Sequence, residues 1–163
     1  MTVAATLREE LISELWQLLK PCGFKKRGVV FLKPVADVVH LISLQTSVSS
    51  TQDHARVTVN LAVWCKAIND ASATPTVWTA HWRQRIGKLM PAKADLWWSL
   101  DSNDALSAAR TEIVAAIKVY GLPALEKLAD SASLLTLWDT GISPRLTELQ
   151  ARQYAERLRA IVV

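Results

Sequence analysis

The feature that most constrains this chain is the stretch from Trp78 to Leu100, WTAHWRQRIGKLMPAKADLWWSL. It carries four of the seven tryptophans (Trp78, Trp82, Trp97, Trp98), four of the nineteen Lys and Arg side chains (Arg83, Arg85, Lys88, Lys93) and one of the three histidines, His81. Upstream lie one helical pattern and several alternating ones; downstream the patterns are helical. The stretch is therefore the seam where a sheet half and a helical half meet, and large aromatics dominate the burial at such a seam. It is also the segment where cationic, aromatic and polar side chains are dense enough to suggest a site.

The sheet half is read from its periods. Residues 4–20 form a helix: Leu7, Leu11, Leu15, Leu18 and Leu19 recur at helical spacing, Thr6 and Glu9 fit a capping box, and Pro21 with Gly23 ends it. Lys25, Lys26, Arg27 and Gly28 read as a basic turn, followed by a short strand from Val29 to Lys33 closed by Pro34. Val38 to Val48 and Arg56 to Trp64 are the two clearest strands. In the second, Val57, Val59, Leu61 and Val63 alternate with Arg56, Thr58, Asn60 and Ala62, so one face is core and the other wetter. Residues 66–76 read as a surface loop. His40 lies within a strand and His54 in a hairpin loop; neither has a ligand-like neighbour in sequence.

Beyond Thr74 and Pro75 two readings compete. A helix would align Trp78, Trp82, Ile86 and Leu89 on one face and His81, Arg85 and Lys88 on the next. An extended backbone would instead point Arg83 and Arg85 the same way, a geometry that suits a carboxylate or phosphate. Leu96 to Leu100 reads as a short last strand, with Trp97 and Trp98 on opposite faces. Asp101 and Ser102 then cap a helix that runs to Tyr120 and stops at Gly121. A short helix runs from Pro123 to Asp130, an apolar segment covers Leu134 to Trp138, and a last helix starts at Ser143 and Pro144. The expected architecture is α+β: a single domain over residues 1–163, with a small antiparallel sheet of about four strands packed against an N-terminal helix and a C-terminal group of helices.

Half the residues are hydrophobic and about a fifth charged, a globular composition. No run is long and apolar enough to span a bilayer, the N-terminus lacks a signal pattern, and no membrane partner is expected. Cys22 and Cys65 read as reduced thiols of a cytoplasmic protein. The net charge of +4 is uneven: residues 1–93 carry twelve Lys and Arg against six Asp and Glu, and residues 94–163 seven against nine.

The order of GFKKRG after the first helix, a strand reading VNLAV, then HWRQRIGKL, then WW and a helix ending YGLP resembles a bacterial family known as domain of unknown function 4304. The resemblance extends over roughly Leu7 to Leu137. It implies an α+β domain of bacterial cells with no assigned activity, cofactor or catalytic residue, so no role is carried onto Arg85 or Trp98. Ala62 stands where a glycine is expected after the NL pair.

No acyl-transfer elbow, phosphate loop, dinucleotide fingerprint or zinc motif is present, and neither a cofactor nor a metal is expected. A hydrolase using Asp95 and His81 ranks last. What remains is the aromatic and basic cluster, with His81, Trp82, Arg83, Arg85, Lys88 and Trp98 as candidate binding residues. Either Trp82 and Trp98 floor a pocket for an anion or a stacked base, or they seal the core while the arginines pair with Asp95 or Asp101 above them. The second is preferred, because aromatics of this size are mostly core. The expected function is a non-enzymatic binding module for a protein partner, an immunity-type partner included, since Trp and Arg anchor interfaces. Nucleic-acid or phosphate binding is the alternative, disfavoured because the basic residues form no continuous stripe.

Overall fold

A computed structural model describes residues 2–68 and 73–162. Helix α1 spans Val3–Leu19 and buries Leu7, Leu11, Ile12, Leu15 and Leu19 along one stripe. Its cap is Thr2 rather than Thr6. The Thr2 backbone is extended and its hydroxyl accepts from the Ala5 N–H at 3.1 Å. Thr6 lies one turn inside, where its own hydroxyl donates to the Thr2 carbonyl. Pro21 and Gly23 stop the helix as expected, Gly23 in the left-handed region at φ 94°.

Among the described residues six strands follow in one antiparallel sheet: β1 Lys25–Arg27, β2 Val30–Val35, β3 Val38–Thr46, β4 Arg56–Cys65, β5 Trp82–Arg85 and β6 Trp98–Ser99. The order is β1-β2-β3-β4-β5, and β6 pairs with β4 at the Arg56 end. The count exceeds the expected four or so for two local reasons. The basic triplet is a strand, because Gly28 at φ 61° occupies the first central position of a two-residue hairpin loop that glycine favours. The residues after His81 are extended, because pairing with β4 supplies backbone bonds that a marginal helix through Gly87 would supply less well. The helical reading of Trp78 to Leu89 is thereby corrected. Pro34 does not end β2; it lies beyond the end of β1, where the strand has a neighbour on one side only, a position that tolerates proline.

The helical half also departs from the expected stops. Helix α2, Asn103–Ala116, is capped by the Ser102 hydroxyl. It runs without a break through a π-turn at Ile117–Gly121 into α3, Leu122–Glu126. Gly121 is not a terminus: a Cβ there would lie 3.0 Å from Leu61 Cδ2, so the glycine lets the helix pass close over β4. Helix α4 spans Ser131–Asp139 and α5 spans Glu148–Val162. The last helix starts after Thr147, not at Ser143, because Arg145 is left-handed at φ 67° and interrupts the turn. Thr147 and Gln150 then form a reciprocal capping box, at 3.1 and 3.0 Å.

Buried residues of α1, α2, α3, α4 and α5 form one hydrophobic cluster with Val57, Val59, Leu61 and Val63 of β4. The other face of β4 is not wet: Thr58, Asn60, Ala62 and Trp64 are buried as well. The Thr58 hydroxyl donates to the Leu96 carbonyl at 2.7 Å, and Asn60 Nδ2 to Gln45 Oε1 at 2.8 Å. Val77 and Ala80 cover Ala62 and Trp64 in a second, smaller cluster with Val39 and Leu41. Part of the expected loop, residues 69–72, lies outside the described residues. Among the described residues no helix is long and apolar enough to cross a membrane.

Candidate functional site

The register across the sheet builds the site. In antiparallel strands, directly opposed residues share a face. Lys25 opposes Leu32, Leu32 opposes Leu41, Leu41 opposes Ala62, and Ala62 opposes Arg83. Two residues along, the row reads Arg27, Val30, Ser43, Asn60, Arg85. Both rows lie on the face turned away from the helices, and each begins and ends in a cation. Four strand spacings separate the ends, about 19 Å.

The first row is roofed. The segment Pro75–Ala80 lies over it, and an arginine holds each end: Arg27 Nη2 donates to the Pro75 carbonyl at 2.6 Å, and Arg83 Nη1 to the Trp78 carbonyl at 3.2 Å. The Arg83 guanidinium also sits 6.0 Å from the Trp78 ring centroid, a cation–π distance. The indole of Trp78 is 61% exposed, so it stands on the roof and not in the core. The second row is open toward β1, where Val30 and Ser43 are half-buried and Arg27 is exposed, while Asn60 beside Arg85 is buried.

Arg85 closes the open row. Its Nη1 lies 2.6 Å from Asp95 Oδ2, and its guanidinium sits 5.1 Å from the Trp97 ring centroid. Trp97 Nε1 donates to the same carboxylate oxygen at 3.3 Å. One carboxylate thus fixes both the cation and the indole beneath it. The pairing with Asp95 follows the expectation, while Asp101 lies instead 3.8 Å from His54 Nδ1. Arg83 and Arg85 point the same way, as the extended alternative requires.

The other candidates are elsewhere. Trp82 and Trp98 are 5% and 8% exposed and belong to the main core; Trp98 Nε1 donates to Glu112 Oε2 at 2.6 Å. Trp97 is half-buried, so the two neighbouring indoles do face opposite ways. Lys88 is exposed, its Nζ donating to the Lys93 carbonyl at 3.3 Å. His81 is wholly buried: Nδ1 accepts from the Cys65 N–H at 2.8 Å, and the ring meets Tyr154 edge-on at 4.9 Å. Burial, with the positive Arg157 second, lowers its pKa to about 4. Asp95 is bound up with Arg85 and Trp97, so His81 and Asp95 belong to separate networks. His40 gains a partner that lies far away in sequence: Nε2–H donates to the Leu128 carbonyl at 2.8 Å, and burial lowers its pKa.

The open row itself was missed. Ser43, Asn60 and Val30 carry no local signal; only the strand register, which the sequence does not display, brings them between Arg27 and Arg85. Among the described residues, no group of three His, Cys, Asp or Glu side chains could hold a metal ion. The family model described as domain of unknown function (DUF4304) matches residues 15–127. No curated protein and no solved structure matches the chain.

Proposed function

For a chain that belongs to the family described as domain of unknown function 4304, we propose a non-enzymatic role as a binding module whose open sheet face receives an acidic protein partner. The observation that carries this reading is the open row, with Arg27 and Arg85 at its two ends, beside the roofed row that ends in Lys25 and Arg83. A macromolecular surface can bridge about 19 Å, whereas a small anion meets only one end. Between the cations lie small and apolar groups, and beside them the exposed Trp78 and the Asp95-fixed Arg85, side-chain types that anchor interfaces. Electrostatic complementarity of this kind raises association rates and selects partners by sign. The free thiols of Cys22 and Cys65 fit a reducing, cytoplasmic setting for that encounter.

Single-stranded nucleic acid fits less well. Recognition on an open sheet uses aromatics at the centre of the strands, where bases stack. Here the central positions are Leu41, Ala62, Ser43 and Asn60, and Trp64 lies buried under the roof.

The test is paired purification from cells that encode the chain, using the parent and the double variant Ser43→Glu, Trp78→Ala. Both positions lie on or above the open face and outside the main core. The parent should retain a stoichiometric acidic partner, and the folded double variant should lose it. Equal retention by both would move the interface off this face.

A further inference from the structure

A second concavity lies on the other side of β5. Arg83 and Arg85 look toward the open face, so Trp82 and Gln84 look the opposite way, toward the helices. There a groove of about 450 Å³ runs between the turn that follows β5, the π-turn, α3 and the loop at Ile142–Pro144. Its size is that of small-molecule sites.

Three observations set its chemistry. The floor is apolar, with Trp82, Leu89 and Leu137. Val119 on the π-turn and Ile142 on the loop are 58% and 55% exposed, and both line this one groove. Large aliphatic groups left in water along one groove are what an apolar ligand would cover. The rim is cationic: Lys88, Lys93 and Lys127 line the groove, and among the described residues no Asp or Glu does. Lys88 is oriented by its bond to the Lys93 carbonyl. The π-turn adds to this, since such turns recur at functional sites and here one presents Val119 and Tyr120 to the groove.

We propose that this groove binds a free medium-chain fatty carboxylate, its head among Lys88, Lys93 and Lys127 and its chain along Trp82, Leu89, Val119 and Ile142. Each methylene moved from water onto such a floor favours binding, and the ammonium groups select a carboxylate over a neutral head. The site is separate from the open face and does not depend on a protein partner.

The experiment is a titration of the full chain with decanoate below its micelle concentration, followed by amide NMR and tryptophan fluorescence, with decanol as the neutral counterpart. Decanoate should give saturable shifts centred on Gln84, Leu89, Val119 and Lys127. Decanol should bind about tenfold more weakly or worse, the factor expected when a charge-assisted hydrogen bond is lost. Lys127→Glu should weaken decanoate about tenfold, and Val119→Asp, at an exposed position, should abolish saturation. Equal binding of decanol and decanoate, shifts centred elsewhere, no saturable shift, or parent-like binding by a folded Val119→Asp variant would each overturn the assignment. If Val119→Asp does not fold, the decanol comparison in the parent still decides.

Discussion

Arg85 meets two partners that the sequence supplies within a dozen positions, Asp95 and Trp97, and across the strand pair it opposes Asn60. Its side chain is 22% exposed and that of Asp95 42%, so water screens the pair and the contribution stays modest. Arg85→Ala is expected to cost roughly 1–2 kcal/mol, ion pair and indole contact together, against less than about 0.5 for Lys88→Ala. A double-mutant cycle of Arg85 with Asp95, read by thermal melts, should give a coupling of about 0.5–1 kcal/mol; no coupling would leave the guanidinium free for a ligand. His81 gives a pH test. Its folded pKa, about 4, lies below its ordinary 6.5, so as pH falls the unfolded chain takes up the proton first. Stability should therefore be full above about pH 6.5 and decline toward pH 4, by on the order of 3 kcal/mol, with His40 acting in the same direction. Urea midpoints across that range should fall less steeply in His81→Gln, which cannot charge; identical slopes would remove His81 as the source. At this scale the parity of Arg83 and Arg85 was legible only as one of two alternatives, because it follows from an extended backbone that the sequence did not choose over a helical one. The burial of His81 was not, because one of its partners is the Cys65 N–H, sixteen positions away on β4.

Elements were legible where one period had no rival. The alternation in Arg56 to Trp64 could be nothing but a strand, whereas Trp82, Ile86 and Leu89 satisfied helical spacing equally well until pairing with β4 decided the matter. The π-turn was illegible for a related reason: Gly121 reads as a stop, yet its role is close approach to Leu61. Gly87 repeats that lesson. A Cβ at Gly87 would lie 2.2 Å from the Ala94 carbonyl oxygen and 2.9 Å from the Leu96 nitrogen, both backbone atoms. Gly87→Ala, nominally a gain in helix propensity, should instead destabilise by roughly 1–3 kcal/mol, and an unchanged melting temperature would show that the 94–96 backbone yields freely. The two neighbouring indoles should also part company. Trp98→Ala removes a core side chain and leaves Glu112 without its donor, costing roughly 3–5 kcal/mol. Trp97→Ala should cost about 1, and equal losses in the two melts would contradict the facing described for β6.

For the molecule as a whole, charge is arranged rather than abundant. The balance of +4 suggests little, but the pleat gathers Lys25, Arg27, Arg83 and Arg85 onto one face. A labelled generic single-stranded oligonucleotide should nonetheless stay free near physiological salt, because the centre of that face offers no stacking platform. A micromolar complex with a steep salt slope, abolished by reversing those four charges, would promote nucleic acid over protein as the partner. The same pleat divides the chain into two inheritances. Arg27, Ser43 and Arg85 occupy one side of a single thickness of backbone, while Leu61, Val63 and Trp82 occupy the other. Point substitutions at the uncovered positions of that side, such as Arg27 and Ser43, can therefore drift toward a new preference while leaving the main core untouched. A one-residue insertion or deletion within β5 has no such freedom: it would exchange Trp82 for Arg83 and disrupt the cationic face and the core in one event.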